Sequence, residues 1–290
     1  MEIRPPIRPF ITPIEDSRRW SEVTLRPDDI IIVTPPKCGT TWTQGIVRSL
    51  LWPDGDPPGS VAGLSAWIDM KNGPLAETAA RIEAQTHRRF LKTHSPVDAI
   101  PFADEVRYLG VYRDGPDALV SWGNHRARMN ADVMAGLNQL NVGTDLPALP
   151  ERFSGDYDEL FEEWAAFCSP ARHLAPLWPL RDRPNVLLLH YTELWADLGA
   201  SMRRIARFLD IEIEASRWPA VIERCTLEAM RTAADSPSMH ERFDGGAAGF
   251  FYRGGNGRGR RLLSPAQVAR CDRHSAEVLP PDAVRWLAGP

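Results

Sequence analysis

The octet Pro35-Pro-Lys-Cys-Gly-Thr-Thr-Trp42 constrains this chain more than any other stretch. Before it runs Asp29-Ile-Ile-Ile-Val-Thr34, a short β-branched segment of the kind that forms a strand buried on both faces. After it, Thr40 to Leu51 reads as a helix stopped by Pro53. A strand, a tight turn and a helix in that order leave the first N–H groups of the helix unpaired and pointing outward, where an anion satisfies them. Gly39 permits close backbone approach, Thr40 and Thr41 add hydroxyls, and Lys37 adds a positive charge on a flexible stem. Each part suits a phosphate. The order differs from the common nucleotide loop G-x-x-x-x-G-K-[ST], because here the lysine precedes the glycine. The plainer alternative is a helix start whose Lys and Thr only cap it.

Further apolar runs follow. Residues 88–93 (RRFLKT), 106–112 (VRYLGVY) and 186–190 (VLLLH) read as strands, and 116–126, 160–173 and 201–209 read as helices. Strands alternating with helices imply an α/β fold, a central parallel sheet flanked by helices on both faces, here with a P-loop-like nucleotide-binding core. No stretch reads as a linker, so residues 1–290 are expected to form a single domain. Residues 1–27 are Pro- and Arg-rich and read as an irregular lead-in, and 53–66 and 136–156 as loops. Residues 236–261 are rich in Gly and Arg and read as a loop that is either flexible or anion-binding.

Charge narrows the partners. The net charge of -4 gives no basic excess for nucleic acid, so any bound anion must be held by local cations. No run approaches the ~20 apolar residues of a membrane span, and the N-terminus lacks the apolar core of a secretory signal. The cysteines Cys38, Cys168, Cys225 and Cys271 are scattered without metal-type spacing, which suits free thiols in a reducing, cytoplasmic setting. No carboxylate cluster suggests a Mg²⁺ site.

Four more segments bear on chemistry. Lys92 and His94, in Leu-Lys-Thr-His, stand two apart on a strand and should project to one face. Arg113, in Tyr-Arg-Asp-Gly-Pro-Asp-Ala-Leu-Val-Ser121, stands at a strand's C-terminal end, where an arginine can clamp a phosphate; the alternative is a surface pair with Asp114 or Asp117. Tyr191 follows the last strand in His-Tyr-Thr-Glu-Leu. Cys225-Thr-Leu-Glu-Ala-Met-Arg231 and Phe251-Tyr-Arg-Gly-Gly-Asn-Gly-Arg-Gly-Arg260 complete the set.

In this order, from about residue 29 to residue 261, the motifs resemble those of the cytosolic-type sulfotransferases. Those enzymes use 3′-phosphoadenosine 5′-phosphosulfate (PAPS) and release 3′-phosphoadenosine 5′-phosphate (PAP). Their loop reads Pro-Lys-Ser-Gly-Thr-Thr-Trp, and this chain has Cys38 in place of the serine. The resemblance implies sulfuryl transfer from PAPS, as cosubstrate and without a metal, to a hydroxyl of a small-molecule acceptor such as a phenol, alcohol, lipid or glycoside. It makes His94 the general base, with an ordinary pKa near neutrality. Lys37 lies at the bridging oxygen, and Lys92 is a second cation at the sulfuryl group. The residues implied to bind the cosubstrate are Lys37, Cys38, Gly39, Thr40, Thr41 and Trp42 from the loop, Arg113, Ser121 and Arg253 at the 3′-phosphate, and Tyr191 near adenine. Leu227 stands where the family has a phenylalanine on adenine, and Gly254, beside Gly255, stands where it has a lysine. Trp52, Trp67, Phe90, Trp122 and the segment after Met129 are candidate acceptor walls. A monomer and a homodimer both remain open. The rival readings are a P-loop kinase of a small metabolite and a non-catalytic PAP sensor.

Overall fold

The computed structural model of the protein describes residues 1–150, 152–251 and 253–289; Glu151 and Tyr252, which fall within two of the expected loops, and Pro290 lie outside the described residues. The apolar runs form one sheet of four parallel strands: β1 (Ile30–Val33), β2 (Phe90–Thr93), β3 (Arg107–Tyr112) and β4 (Val186–His190), in the spatial order β2-β1-β3-β4. Ile31 of β1 pairs with Leu91 on one side and Tyr108 on the other, and Leu109 of β3 pairs with Leu187 of β4.

Both faces of the sheet are covered, as continuous apolar strands require. Ile31, Val33, Leu91, Tyr108 and Leu188 face one core, closed by Leu174, Leu177, Leu279 and Leu287. Ile30, Ile32, Phe90, Leu109 and Leu189 face the other. That second core is closed by Ile46 and Leu50 of α1 (Thr40–Leu51), and by Met202 and Ile205 of the helix Leu198–Phe208. The alternation along each strand is the two-residue period of a pleated strand.

Several segments differ from the sequence reading. The lead-in of residues 1–27 is packed: Ile3–Arg4 pairs with Phe102–Ala103, Ser17–Glu22 forms a turn of 3₁₀ helix capped by Asp16, and Trp20, Val23 and Leu25 enter the first core. The helix expected over 160–173 is two, Tyr157–Phe167 and Pro170–Leu174, because Pro170 cannot continue the hydrogen-bond ladder and Ser169 caps a fresh start. Residues 53–66 hold a short helix, Val61–Leu64. The Gly/Arg-rich stretch is not one loop: it contains the helices Pro237–Arg242, Gly246–Phe250 and Gly259–Leu262. The first of these has Ser236 as its cap and Pro at its first position. Two C-terminal helices, Pro265–Val278 and Pro281–Ala288, end the chain. Among the described residues, no helix is long and apolar enough to cross a membrane.

Candidate active site

Each parallel strand ends at a segment singled out above. β1 runs into the octet, β2 ends one residue before His94, β3 ends before Arg113, and β4 ends before Tyr191. The chain order reverses beside β1, and the crevice outside the C-terminal ends at such a point is where α/β sheets bind ligands.

The octet makes its turn with two residues in the left-handed region, Lys37 at φ +66° and Gly39 at φ +111°. A methyl group on Gly39 would lie 3.2 Å from the Tyr191 ring, so both its backbone angle and its surroundings favour glycine. The Thr40 hydroxyl is spent internally, 2.6 Å from that of Thr34, and pins the strand end to the start of α1. Thr41 and Trp42 are half-buried on the first turn of α1. Cys38, in place of the family's serine, is 0% exposed and packs with Ala118, Leu119 and Trp122, and burial pushes its thiol up to about 12. The Lys37 ammonium donates to His125 Nδ1 at 3.2 Å and sits 4.6 Å over the Phe250 ring. Burial, then Arg113 and Lys92, lowers its pKa to about 8.

At the end of β2 the alternation of side chains sorts them by task. Thr93 and Ser95 both donate to the buried carboxylate of Asp69, Ser95 at 2.7 Å, and Asp69 also accepts from the Trp20 indole at 3.2 Å. Lys92 and His94 instead converge on Trp67: the ammonium lies 3.8 Å over its ring, and the imidazole meets it edge-on with centroids 5.0 Å apart. His94 Nδ1 is 2.7 Å from the Thr34 carbonyl oxygen. A carbonyl can only accept, so Nδ1 carries the proton and Nε2 keeps its lone pair. The pKa of His94 is well below its ordinary value, not near neutrality, because burial and then Lys92 oppose the imidazolium. Burial likewise lowers Lys92 to about 8, although Glu15 and Asp69 support its charge.

Arg113 and the Gly/Arg-rich segment meet beyond β3. The Arg113 guanidinium donates to the Gly255 carbonyl, lies 4.4 Å over the Tyr191 ring and pairs with Asp117 at 3.4 Å. The Asp117 pair that sequence offered as a surface alternative therefore exists, but it is buried. Asp117 also accepts from the backbone N–H of Gly257 at 2.8 Å and of Gly259 at 2.6 Å. Arg253, Gly254, Gly255, Arg258 and Arg261 line a cavity of about 400 Å³. Asp117, Ser121 and His125 succeed one another at four-residue spacing along the helix α2 (Gly115–Arg128). Ser121 thus stands on the helix face between the residue that holds this loop and the residue that holds Lys37. Trp42 and Tyr191 lie edge-to-face with centroids 5.4 Å apart, and the Trp42 indole donates to the Cys225 carbonyl at 2.8 Å. Leu227 begins the helix Leu227–Ala234 beside them.

A sulfotransferase domain profile matches residues 27–280. The chain belongs to the sulfotransferase family. It is 33% identical to glycolipid sulfotransferases of Mycobacterium bovis and Mycobacterium tuberculosis, across 93% of this chain and 91% of each relative. It is 25% identical to sulfotransferase 1C2 of Oryctolagus cuniculus, across 87% of this chain and 84% of that one. The fold matches retinol dehydratase in complex with androsterone and the inactive cofactor PAP (TM-score 0.70, 19% identity, 92% of this chain and 87% of that one). It also matches a mouse sulfotransferase complexed with PAP (TM-score 0.67, 17% identity, 93% and 91%). The chain is accordingly an enzyme of sulfuryl transfer.

Three groups in this sulfotransferase escaped the sequence reading. His125 lies four residues past Ser121, and only the fold brings it to Lys37. Glu15 is 3% exposed, accepts from the Trp67 indole at 3.0 Å, and has a pKa raised well above its ordinary value by burial and then by Asp69. Asp69 orders the end of β2, and nothing in its local sequence foretells that. The expected acceptor walls divide. Phe90 is fully buried in the second core, with Trp52 packed against it, so neither belongs to the site. Trp67 touches Lys92 and His94, and Trp122 stacks on His125 at 5.4 Å. After Met129 comes the helix Ala131–Gln139, whose Met134 and Leu137 pack with Phe243. A second cavity, of about 440 Å³, adjoins His94 and is lined by Phe10, Pro35, Phe167, Ser169 and Arg172. Among the described residues, no group of three or more His, Cys, Asp or Glu side chains gathers to hold a metal ion.

Proposed function

We propose that this sulfotransferase takes its sulfuryl group from PAPS and delivers it to a hydroxyl of a small amphipathic acceptor, with His94 as general base. The observation that carries the reading is the convergence of Lys37, Lys92, His94, Arg113 and Tyr191 on one edge of the sheet, from the ends of four adjacent strands. Three cations lie close enough for their charges to oppose one another: burial first, and then Arg113 and Lys92, depresses Lys37. A polyanionic donor relieves that repulsion, and a 3′-phosphate suits the cavity lined by Arg253, Arg258 and Arg261.

Each residue then has a task. The octet's backbone and the N-terminus of α1 receive the 5′-phosphosulfate. His94 Nε2 takes the acceptor's proton as its oxygen attacks sulfur. The Thr34 carbonyl fixes the tautomer, and the depressed pKa keeps the ring neutral and ready at physiological pH. Lys37 stabilises the charge that develops on the leaving phosphate oxygen, and Lys92 that on the sulfuryl oxygens. His125 and Phe250 hold the Lys37 ammonium in place. Arg113, Ser121 and Arg253 grip the 3′-phosphate, which gives the site a preference for PAPS over ATP. For the acceptor, the mycobacterial relatives favour a hydroxyl on a glycolipid. The cavity beside His94, with Phe10 and Phe167 as well as Ser169 and Arg172, has the mixed lining such an acceptor needs.

The test is transfer of labelled sulfur from PAPS to octyl glucoside and to p-nitrophenol by wild type and His94→Ala. The variant should lose on the order of 10²–10⁴ in turnover while still binding PAP. Full turnover in His94→Ala removes it as the base. Binding of PAP without turnover by the wild type on any hydroxyl acceptor would favour a PAP sensor.

A further inference from the structure

Trp195 is 45% exposed, and it sits where two departures from the family's motifs, Leu227 and Gly254, meet. It lies on α3 (Tyr191–Ala196), four residues after Tyr191 and therefore on the same helix face. Its ring centroid is 6.2 Å from that of Trp42, edge-to-face, so Trp42, Tyr191 and Trp195 form one aromatic group. Gly254 is wedged against it. The residue has φ +64°, and a side chain there would begin 2.8 Å from Trp195 and 3.0 Å from Leu227. A lysine at 254 and a tryptophan at 195 therefore compete for one space. The remaining approach is apolar as well: Leu227 presents a short branched side chain in place of a broad ring.

We infer that Trp195 is an adenine-binding residue of this enzyme, supplying the aromatic surface that Leu227 lacks. The substitutions then form a set. Glycine at 254 opens the space that Trp195 occupies, leucine at 227 packs beside it, and the indole adds its face to the platform begun by Trp42 and Tyr191. A purine stacks well on such a surface, and its loss by truncation to alanine weakens binding about tenfold or more. The lysine charge given up at 254 is offset by Arg258 and Arg261, which line the neighbouring cavity. This inference rests on the proposal that the enzyme uses PAPS.

Wild type, Trp195→Phe and Trp195→Ala should be titrated calorimetrically with PAP and with an abasic ribose 3,5-bisphosphate, which carries the same two phosphates without adenine. Trp195→Ala should weaken PAP about tenfold or more and leave the abasic ligand within about twofold of wild type, while Trp195→Phe keeps most of the PAP affinity. Indole fluorescence should be quenched by PAP in the wild type, less in Trp195→Phe, and not at all by the abasic ligand. Unchanged PAP affinity in Trp195→Ala overturns the assignment. So does an equal loss for both ligands, which would make Trp195 a prop for the loop at 253–259. If wild type binds the abasic ligand and PAP equally, adenine makes no contact worth measuring and the assignment again fails. If it binds neither, the PAPS reading falls first and takes this inference with it.

Discussion

The loops at 35–42 and 253–259 flank the same strand ends, but they are built differently. The first is fed by β1 and continued by α1, and its shape is local: positive φ at Lys37 and Gly39, and a hydroxyl contact between Thr34 and Thr40. The second comes after the short helix Gly246–Phe250. Two of its N–H groups are held by the carboxylate of Asp117, and the Gly255 carbonyl by Arg113, all from residues about 140 positions earlier in the chain. A loop whose geometry is written in its own residues has little room to vary. One held from outside can exchange a lysine for a glycine, provided that a neighbour such as Trp195 fills the space. The first loop departs from its family motif only at Cys38, and the second has Gly254 where the family has a lysine.

The largest expected effect separates the two loops by role. Lys37→Ala should lower kcat on the order of 10²–10³, with a much smaller change in PAP affinity, as its proposed role at the leaving phosphate oxygen requires. Arg253→Ala should do the reverse and raise the Kd for PAP with kcat nearly kept. Steady-state kinetics beside PAP titration decides it, and equal losses of kcat in both variants would erase the distinction.

Next comes the manner of support. Asp117→Ala should weaken PAP by about tenfold to a hundredfold, since it removes two hydrogen bonds to a buried charge. Hydrogen exchange should rise in residues 253–259 but not in α1. Thr34→Val, which removes the hydroxyl contact between Thr34 and Thr40, should cost only about 1 kcal/mol of stability. Faster exchange in α1 of the Asp117 variant would mean that the two loops are not separately held.

Titration should also tell them apart. Lys37 and Lys92 have pKa values near 8, so kcat/KM for PAPS should fall as pH rises past about 8, while kcat holds to higher pH because the bound anion keeps both lysines charged. The second loop carries arginines and no lysine. The acid side concerns stability. His94, His125, His173, His190 and His274 all have lowered folded-state pKa values, so the unfolded chain binds more protons. Stability should therefore be full above the unfolded value of about 6.5 and decline as pH falls below it, by a smaller margin than the changes above. Denaturant midpoints between pH 7.5 and 5 check the direction, and a midpoint that rises toward pH 5 contradicts it.

The same contrast explains what could be read from sequence. β1, α1 and β4 were legible almost to the residue, because apolar runs and Pro53 mark them locally. The break at Ser169-Pro170 was legible in principle, as was the helix after Ser264, where Ser and Gln three apart form a capping box. Cys38 looked like a substituted ligand because a linear motif does not say which way a side chain turns; in the fold it turns into the core. The pKa of His94 could not be read at all, since burial and Lys92 set it. Glu15, Asp69 and His125 reach the site from separate segments, and no local pattern in the chain joins them.

The most direct measurement is calorimetric titration of the wild-type enzyme and Arg113→Ala with PAP, against ATP plus Mg²⁺. Micromolar PAP binding that Arg113→Ala loses and that ATP does not match is the result expected of a site built from four strand ends around a 3′-phosphorylated donor. A preference for ATP with Mg²⁺, or no PAP binding by the wild type, would contradict it.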